Sequence, residues 1–466
     1  MRRRRVIARM DAITGEPVVV FRTRRRGRSP AQLIVLSFAA AIAAGTAVLR
    51  LPLAHAAGAD IDWLEALFTA TSAVCVTGLV VVDTGRDFNP VGQAVIALLI
   101  QMGGLGILTV GMLLALITGR RLGFRQRMNL QTQLSALQVG GVVRLVRRVA
   151  VVVLGVELVG ALLLYPRMAA AEGWAAGAWQ AAFHAVSAFN NAGFSLYADS
   201  LTRYAGDPLV NLVILSLIVV GGLGFVVVVN LIARHWQAQR TPLSLHTKIA
   251  LSGTVLLIGL ATLLLLALEW ANPRTLGTLP WPTRLMAVLF QAITPRTAGF
   301  NTVDYASMQP ATLLVTMLLM FIGGNPGSTA GGIKTVTFLV LVGSAWSLSR
   351  GRGELQLFDR RVPVETAVRA GVITLVSFML VSTGLTLLSL TDAEHGLLRL
   401  AFETFSAFGT VGLSMGITPG LSAGGKLVIV VLMFVGRLGP LTLGLALMEA
   451  PPERRIEYPA EDVVVG

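Results

Sequence analysis

Four short loops hold the residues whose types and spacing could do chemistry: Val76-Thr77-Gly78, Asn191-Ala192-Gly193, Thr297-Ala298-Gly299 and Thr410-Val411-Gly412. None presents a paired nucleophile and base. What they offer is backbone. Each puts a glycine just after a short apolar run, where consecutive carbonyls can be aimed at one point. A ring of such carbonyls can take the place of a cation's water shell. Turning successive carbonyls the same way drives the chain into φ/ψ regions that a β-carbon forbids, which is why glycine is the residue required. A single Thr-Val-Gly means little; the recurrence carries the weight. The four glycines are spaced 115, 106 and 113 residues apart. Internal duplication on that scale within a membrane is the usual construction of transport proteins.

The elements that must position these loops follow from composition. Of 466 residues, 54% are hydrophobic and 13% charged, where soluble domains carry about 25% charged residues. The chain reads as an all-α polytopic membrane protein. Its net charge of +14 does not point to nucleic acid, because the basic residues lie between apolar spans, the pattern that orients membrane helices. The single cysteine, Cys75, excludes an internal disulfide framework and any multi-cysteine metal site.

Before each loop lies a run of ten or so apolar residues (63–73, 179–188, 284–294 and 397–407). Such runs are too short to cross ~30 Å of hydrocarbon and suit re-entrant half-helices. Longer apolar spans flank them: 31–53, 149–165, 249–268 and 368–390 before, and 90–118, 208–233 and 311–348 after the first three loops. The expected architecture is four pseudo-repeats of span, re-entrant half-helix, loop and span around one central pore. They occupy 30–118, 119–233, 234–349 and 350–450, between a basic segment 1–29 and a tail 451–466. The span 31–53, followed by Ala54-His55-Ala56, can also be read as a secretory signal, but its length favours a true crossing. Segments 1–29, 119–148, 233–248, 347–369 and 451–466 hold 27 of the 38 Lys and Arg. That bias places both termini in the cytoplasm, with eight full spans and the four loops opening outward.

The third unit departs from the others. Its second span is interrupted by Gly323, Gly324, Asn325, Pro326, Gly327, Ser328, Thr329, Ala330, Gly331, Gly332, Ile333 and Lys334. Glycine, proline and polar residues at that density break a helix, so the chain should open at mid-depth. Residues 327–335 miss a phosphate-binding loop by one inserted residue, because Ile333 separates Gly332 from Lys334. That motif also needs a preceding strand, and apolar spans flank this one. Arg437 stands where the other units have glycine. A mid-membrane arginine is costly and must face water or partners; it is either packed against carbonyls or a cationic barrier in the ion path. The Gly-Gly-Leu-Gly runs of the long spans suit close helix packing. Glu403 and Glu65 could bias an outer vestibule toward cations or serve as caps, and His184 and His55 read as structural.

These units, with loops 72–79, 190–194, 294–300 and 409–413 carrying one glycine each, resemble the superfamily of bacterial potassium transporters that includes KtrB and TrkH. The resemblance covers residues 31–450. Eight spans without an extra leading helix pair are more like the KtrB type. The resemblance implies potassium uptake across the bacterial plasma membrane. The selectivity filter would be Val76, Thr77, Gly78, Asn191, Ala192, Gly193, Thr297, Ala298, Gly299, Thr410, Val411 and Gly412. It implies an intramembrane gate at residues 323–334, assisted by Arg437. It also implies a homodimer and a cytosolic nucleotide-binding regulatory ring of the KtrA/TrkA kind, with no covalent cofactor. A less selective potassium and sodium pathway is the alternative. A membrane sensor without flux would leave the four glycines without a task. The arginine-rich residues 1–29 match no recognised motif.

Overall fold

The computed structural model describes residues 5–10, 17–22, 30–106, 142–236, 243–351 and 354–447. Within these the chain is predominantly helical. Unit 1 comprises α1 (Pro30–Leu49), α2 (Trp63–Val74) and α3 (Pro90–Leu105). Unit 2 comprises α4 (Val142–Glu172), α5 (Trp174–Phe189), α6 (Pro208–Leu223) and α7 (Phe225–Trp236). Unit 3 comprises α8 (Leu245–Glu269), α9 (Trp281–Ile293), α10 (Pro310–Phe321) and α11 (Thr335–Ser349). Unit 4 comprises α12 (Val364–Thr391), α13 (Leu397–Gly409), α14 (Ala423–Leu438) and α15 (Pro440–Leu447). Two small antiparallel hairpins interrupt the helical pattern: β1 (Arg5–Met10) with β2 (Pro17–Arg22), and β3 (Leu355–Leu357) with β4 (Arg360–Val362).

Among the described residues, four helices are long and apolar enough to cross a membrane: α1, α4, α8 and α12, the first of each unit. Their outer faces carry exposed Leu154, Leu158, Val255, Leu263, Leu375 and Phe378. A helix with leucines on its unpacked face suits a lipid surroundings, where its backbone groups are satisfied internally. The short helices α2, α5, α9 and α13 are enclosed by these four. In units 1, 2 and 4 the second helix starts on a side-chain cap. Asn89 accepts from the Val91 and Gly92 amides ahead of Pro90, and Asp207 from the Leu209 and Val210 amides ahead of Pro208. Ser422 does the same for Gly425. A side-chain acceptor followed by proline satisfies the first orphan amides and pre-sets φ.

The second helices depart from the expected uninterrupted spans. That proposed for 208–233 turns by 101° between α6 and α7, at Gly224 (φ 92°, ψ 136°). Helix α3 ends at Gly106 (φ 82°, ψ 128°) and α14 at Gly439 (φ 78°, ψ 142°). Positive φ with extended ψ is open almost only to glycine, so the last glycine of each Gly-x-Leu-Gly run is a corner. In units 1, 2 and 4 the second helix thus ends at a glycine corner, and in unit 3 it ends at the longer insert 322–334. Residues 107–118, the basic linker 119–141 and the tail 451–466 lie outside the described residues, as does much of 1–29. The start of α4 takes in residues 142–148, which the sequence had suggested were linker.

Packing closes the units into a ring. One buried cluster joins Phe68 and Val74 of unit 1 to Phe408 and Met433 of unit 4 and reaches Ala192 and Phe194 of unit 2. Another joins Ile214 and Phe189 of unit 2 to Phe290 and Phe300 of unit 3. A third joins Val288 and Met320 of unit 3 to Phe402 and Val411 of unit 4. Glycines let the second helices approach the short ones. A β-carbon on Gly103, Gly221 or Gly436 would come within 2.0, 1.9 and 1.9 Å of the carbonyls of Val74, Phe189 and Phe408. That equivalence bears out the packing reading of these motifs.

Candidate ion pathway

Each short helix ends in the same turn. Two residues before the loop glycine, Val76, Asn191, Thr297 and Thr410 adopt φ of 57°, 56°, 71° and 49°. The glycines Gly78, Gly193, Gly299 and Gly412 have φ of 94°, 69°, 79° and 94°. The residues between them, Thr77, Ala192, Ala298 and Val411, are not in the left-handed region. Alternating hand along a strand turns successive carbonyls to one side. The conformation has a cost, because β-branched residues such as Val76, Thr297 and Thr410 avoid positive φ. Each such residue stores on the order of 1–3 kcal/mol.

The amides are drawn backward onto the short helices, which leaves the carbonyls for the other side. Thr77, Ala192 and Val411 donate to the carbonyls of Ser72, Ser187 and Ser406 at 2.8, 2.8 and 2.9 Å, and Ala298 to that of Thr294 at 2.9 Å. Side-chain hydroxyls complete the clasp. Gly78 and Gly412 donate to Ser72 Oγ and Ser406 Oγ at 3.0 and 3.1 Å. Ser187 and Thr294 instead donate to the carbonyls of Phe194 and Phe300 at 2.7 and 2.5 Å. Among the described residues no donor reaches the carbonyls of Val76, Thr77, Asn191, Ala192, Thr297, Ala298, Thr410 or Val411. Buried carbonyls normally have a partner, so eight together without one invite a cation.

The loops meet one another in cyclic order. A β-carbon on Gly78 would lie 2.4 Å from the Ala192 carbonyl, and one on Gly193 would lie 3.0 Å from that of Ala298. On Gly299 it would lie 2.4 Å from the Val411 carbonyl, and on Gly412 2.2 Å from that of Thr77. All twelve sequence-predicted loop residues therefore come together around one axis.

Residues 322–334 between α10 and α11 pack directly against this ring. A β-carbon on Gly331 would meet Thr410 Oγ1 at 2.0 Å, and one on Gly323 would lie 3.3 Å from Thr297 Cγ2. The segment closes on itself through the Gly323 amide, which donates to Ile333 (2.8 Å), and that of Thr335, which donates to Gly324 (2.9 Å). It is held to unit 2 where α6 gives way to α7. The Asn325 amide donates to Gly222 (3.0 Å) and Phe225 donates to Gly327 (2.9 Å). Asn325 Nδ2 also donates to Thr254 Oγ1 at 3.1 Å, and the Thr329 hydroxyl meets the Asn191 side chain at 3.1 Å. These contacts use backbone that the glycine corner at Gly224 exposes.

Arg437 reaches across from unit 4. Its guanidinium donates to the carbonyls of Thr329 in this segment and, at 2.5 Å, of Gly103 in unit 1. Of the two readings of this residue, the packed one has its observation here: the guanidinium is satisfied by carbonyls. Lys334 Nζ donates to the Ala330 carbonyl at 2.6 Å. Both cations line a cavity of about 260 Å³, bounded also by Gly104, Gly106, Pro326, Gly327 and Ser328. Among the described residues no carboxylate lines it.

Other candidates resolve differently. Glu65 forms a capping box with Asp62 at the start of α2. Glu403 is fully buried behind the fourth loop, so it presents no solvated carboxylate to a vestibule. His55 and His184 are structural, with Nε2 of the first 2.9 Å from the Leu49 carbonyl and Nδ1 of the second 2.8 Å from that of Gln180. Cys75 is buried beside the first loop. The clasping hydroxyls Ser72, Ser187, Thr294 and Ser406 were not anticipated. Their signal was present, a hydroxyl six residues before each glycine and five in unit 3, but serine and threonine are too common for that to stand out.

With this geometry in hand, comparison with known proteins is specific. The family model described as "TrkH: Cation transport protein" matches residues 13–458. The Ktr system potassium uptake protein B of Bacillus subtilis is 43% identical over 94% of this chain and 97% of its own length. The potassium/sodium uptake protein NtpJ of Enterococcus hirae is 38% identical over 95% of this chain and 98% of its own. The crystal structure of the potassium transporter TrkH from Vibrio parahaemolyticus superposes with a TM-score of 0.72 at 19% identity, covering 92% of this chain and 86% of that one. Four strained turns closing in a ring, inside a fold shared with that structure and a sequence shared with those relatives, place the chain in the TrkH family of cation transport proteins.

Proposed function

We propose that this protein takes up potassium through the four-loop ring, with the twelve loop residues as its selectivity filter and K⁺ as the transported ion. The observation that carries this reading is the set of eight buried carbonyls without donors, on loops whose Thr77, Ala192, Ala298 and Val411 amides are engaged behind them. The names of two relatives, a potassium uptake protein and a potassium/sodium uptake protein, agree with it. The second name also keeps a less selective pathway admitting sodium as the alternative. Residues 323–334 and Arg437 act as the gate, because they lie across the axis next to Thr297 and Thr410 and bring two cations and no carboxylate. The "Ktr system" naming of relatives supports a separate regulatory partner, taken here as a cytosolic nucleotide-binding ring docking on a homodimer. The basic segments then face the cytoplasm of the cell and the loops open outward.

The test is ion flux from purified protein in liposomes. A potassium gradient should drive uptake that an equal sodium gradient supports less well. Equal fluxes for both ions would move the assignment to the less selective pathway, and no flux for either would remove it. The same assay tests the gate. Deleting residues 327–330 removes the contact of Gly327 with α7 and those of Thr329 with Asn191 and Arg437, so flux per inserted molecule should rise. A shortened protein that inserts normally and conducts less than the parent would show that the segment is needed for conduction.

A further inference from the structure

Behind each loop, one position on the short helix faces the strand that leaves the ring. It lies nine residues before the loop glycine in units 1, 2 and 4 and eight in unit 3: Thr69, His184, Gln291 and Glu403. In three units it is tied to a hydroxyl two or three residues beyond the glycine. His184 Nε2 lies 3.0 Å from Ser195 Oγ. The Gln291 amide meets the Thr302 hydroxyl at 3.2 Å and that of Tyr305 at 2.5 Å. Glu403 receives two hydroxyls: Ser414 donates to Oε1, and Thr418 donates to Oε2 at 3.0 Å. Unit 1 lacks the tie, since Val80 stands at the hydroxyl position and Thr69 Oγ1 has no partner.

Only unit 4 uses a carboxylate here; like Gln291 it gathers two hydroxyls, but it accepts from both of them. Glu403 is fully buried, and a carboxylate is retained inside a membrane protein only where hydrogen bonds or a functional demand hold it. Its two acceptors bracket the turn after Gly412, so the exit strand cannot move inward without breaking both bonds.

We propose that Glu403 is a specificity-determining positioning residue: by clasping Ser414 and Thr418 it keeps the Val411–Gly412 carbonyls from closing on a cation smaller than potassium. It touches no ion itself. The proposal rests on the filter reading above. A ring held at fixed width favours the ion that fits it, and a ring free to contract coordinates sodium as well.

The experiment compares Glu403→Leu, Glu403→Gln and Ser414→Ala with the parent in liposomes, reading the ratio of potassium to sodium flux and the melting temperature on each preparation. Glu403→Leu removes both acceptors, and the ratio should fall about tenfold, on the order of one ordinary hydrogen bond. Ser414→Ala deletes a single hydroxyl at a partly exposed site, so it keeps the question open should the leucine variant not fold; its ratio should fall in the same direction. Glu403→Gln reproduces what unit 3 has in Gln291 and should stay close to the parent. A merely structural role would lower the melting temperature and total flux without moving the ratio, and that result overturns the proposal. So does a glutamine variant as unselective as the leucine one. Gly412→Ser, run alongside, separates the two levels. If it changes the ratio and the Glu403 and Ser414 variants do not, the tie alone is wrong; if none of them changes it, the filter reading fails as well.

Discussion

Gly412→Ser is expected to lower potassium over sodium preference by roughly 10–100-fold, about 1.4–2.8 kcal/mol of lost discrimination, while the protein still folds and inserts. At φ 94° the serine is strained wherever its side chain goes. Its β-carbon would lie 2.2 Å from the Thr77 carbonyl and 3.0 Å from Gly78 Cα. Both neighbours are backbone, so one of them must withdraw, and the carbonyl displaced belongs to the ring. Gly299→Ser should act alike through the Val411 carbonyl at 2.4 Å. Gly259→Ser, on the open face of α8 with nothing within 4 Å, is the control and should leave the preference alone. Flux of each ion, normalised to inserted protein, decides it. An unchanged preference in both loop variants would remove these glycines from the filter.

Arg437→Ala should speed potassium influx. The guanidinium now bonded to the carbonyls of Thr329 and Gly103 stands between units 1, 3 and 4. At 4 Å and an effective dielectric near 20, two unit charges repel by about 4 kcal/mol. Water and carbonyls reduce this to a working ~1–3 kcal/mol. Flux then rises by about tenfold for each 1.4 kcal/mol of barrier removed. The same residue also ties the intramembrane segment to unit 1, and Arg437→Lys separates the two effects. Lysine keeps the charge but cannot span both carbonyls, so it should be slower than alanine if charge dominates. If Arg437 matters only as a pin, its loss leaves buried acceptors unsatisfied and lowers stability. A variant with a lower melting temperature and no gain in flux would establish that reading instead.

Much of the loop ring was legible because its demands are local. Short apolar runs before a glycine cannot cross a membrane, so they must re-enter, and repetition exposed the unit that does so. Glycine density in residues 323–334 forecast a break for the same reason. What escaped was the break in the other units. Gly106, Gly224 and Gly439 sit in runs apolar enough to pass as continuous helix, and glycine within an apolar helix equally marks close packing. The two uses coexist within three residues: Gly221 packs and Gly224 turns. Nothing local distinguishes them.

Composition, the repeat period and the loop glycines alone determined the solvent, the fourfold plan and the residues that gather at the axis, because hydrophobic length and forbidden φ are properties of the chain at each point. Which loop faces which, the order 78–193–299–412 around the ring, and the meeting of Arg437 with Thr329, 108 residues away, belong to the tertiary structure. So does the role of Glu403. Its charge is plain in the sequence, but whether it faces water or clasps two hydroxyls depends on where α13 is buried and where the strand after Gly412 returns. Contacts between distant segments are decided by packing, and packing is a property of the folded whole.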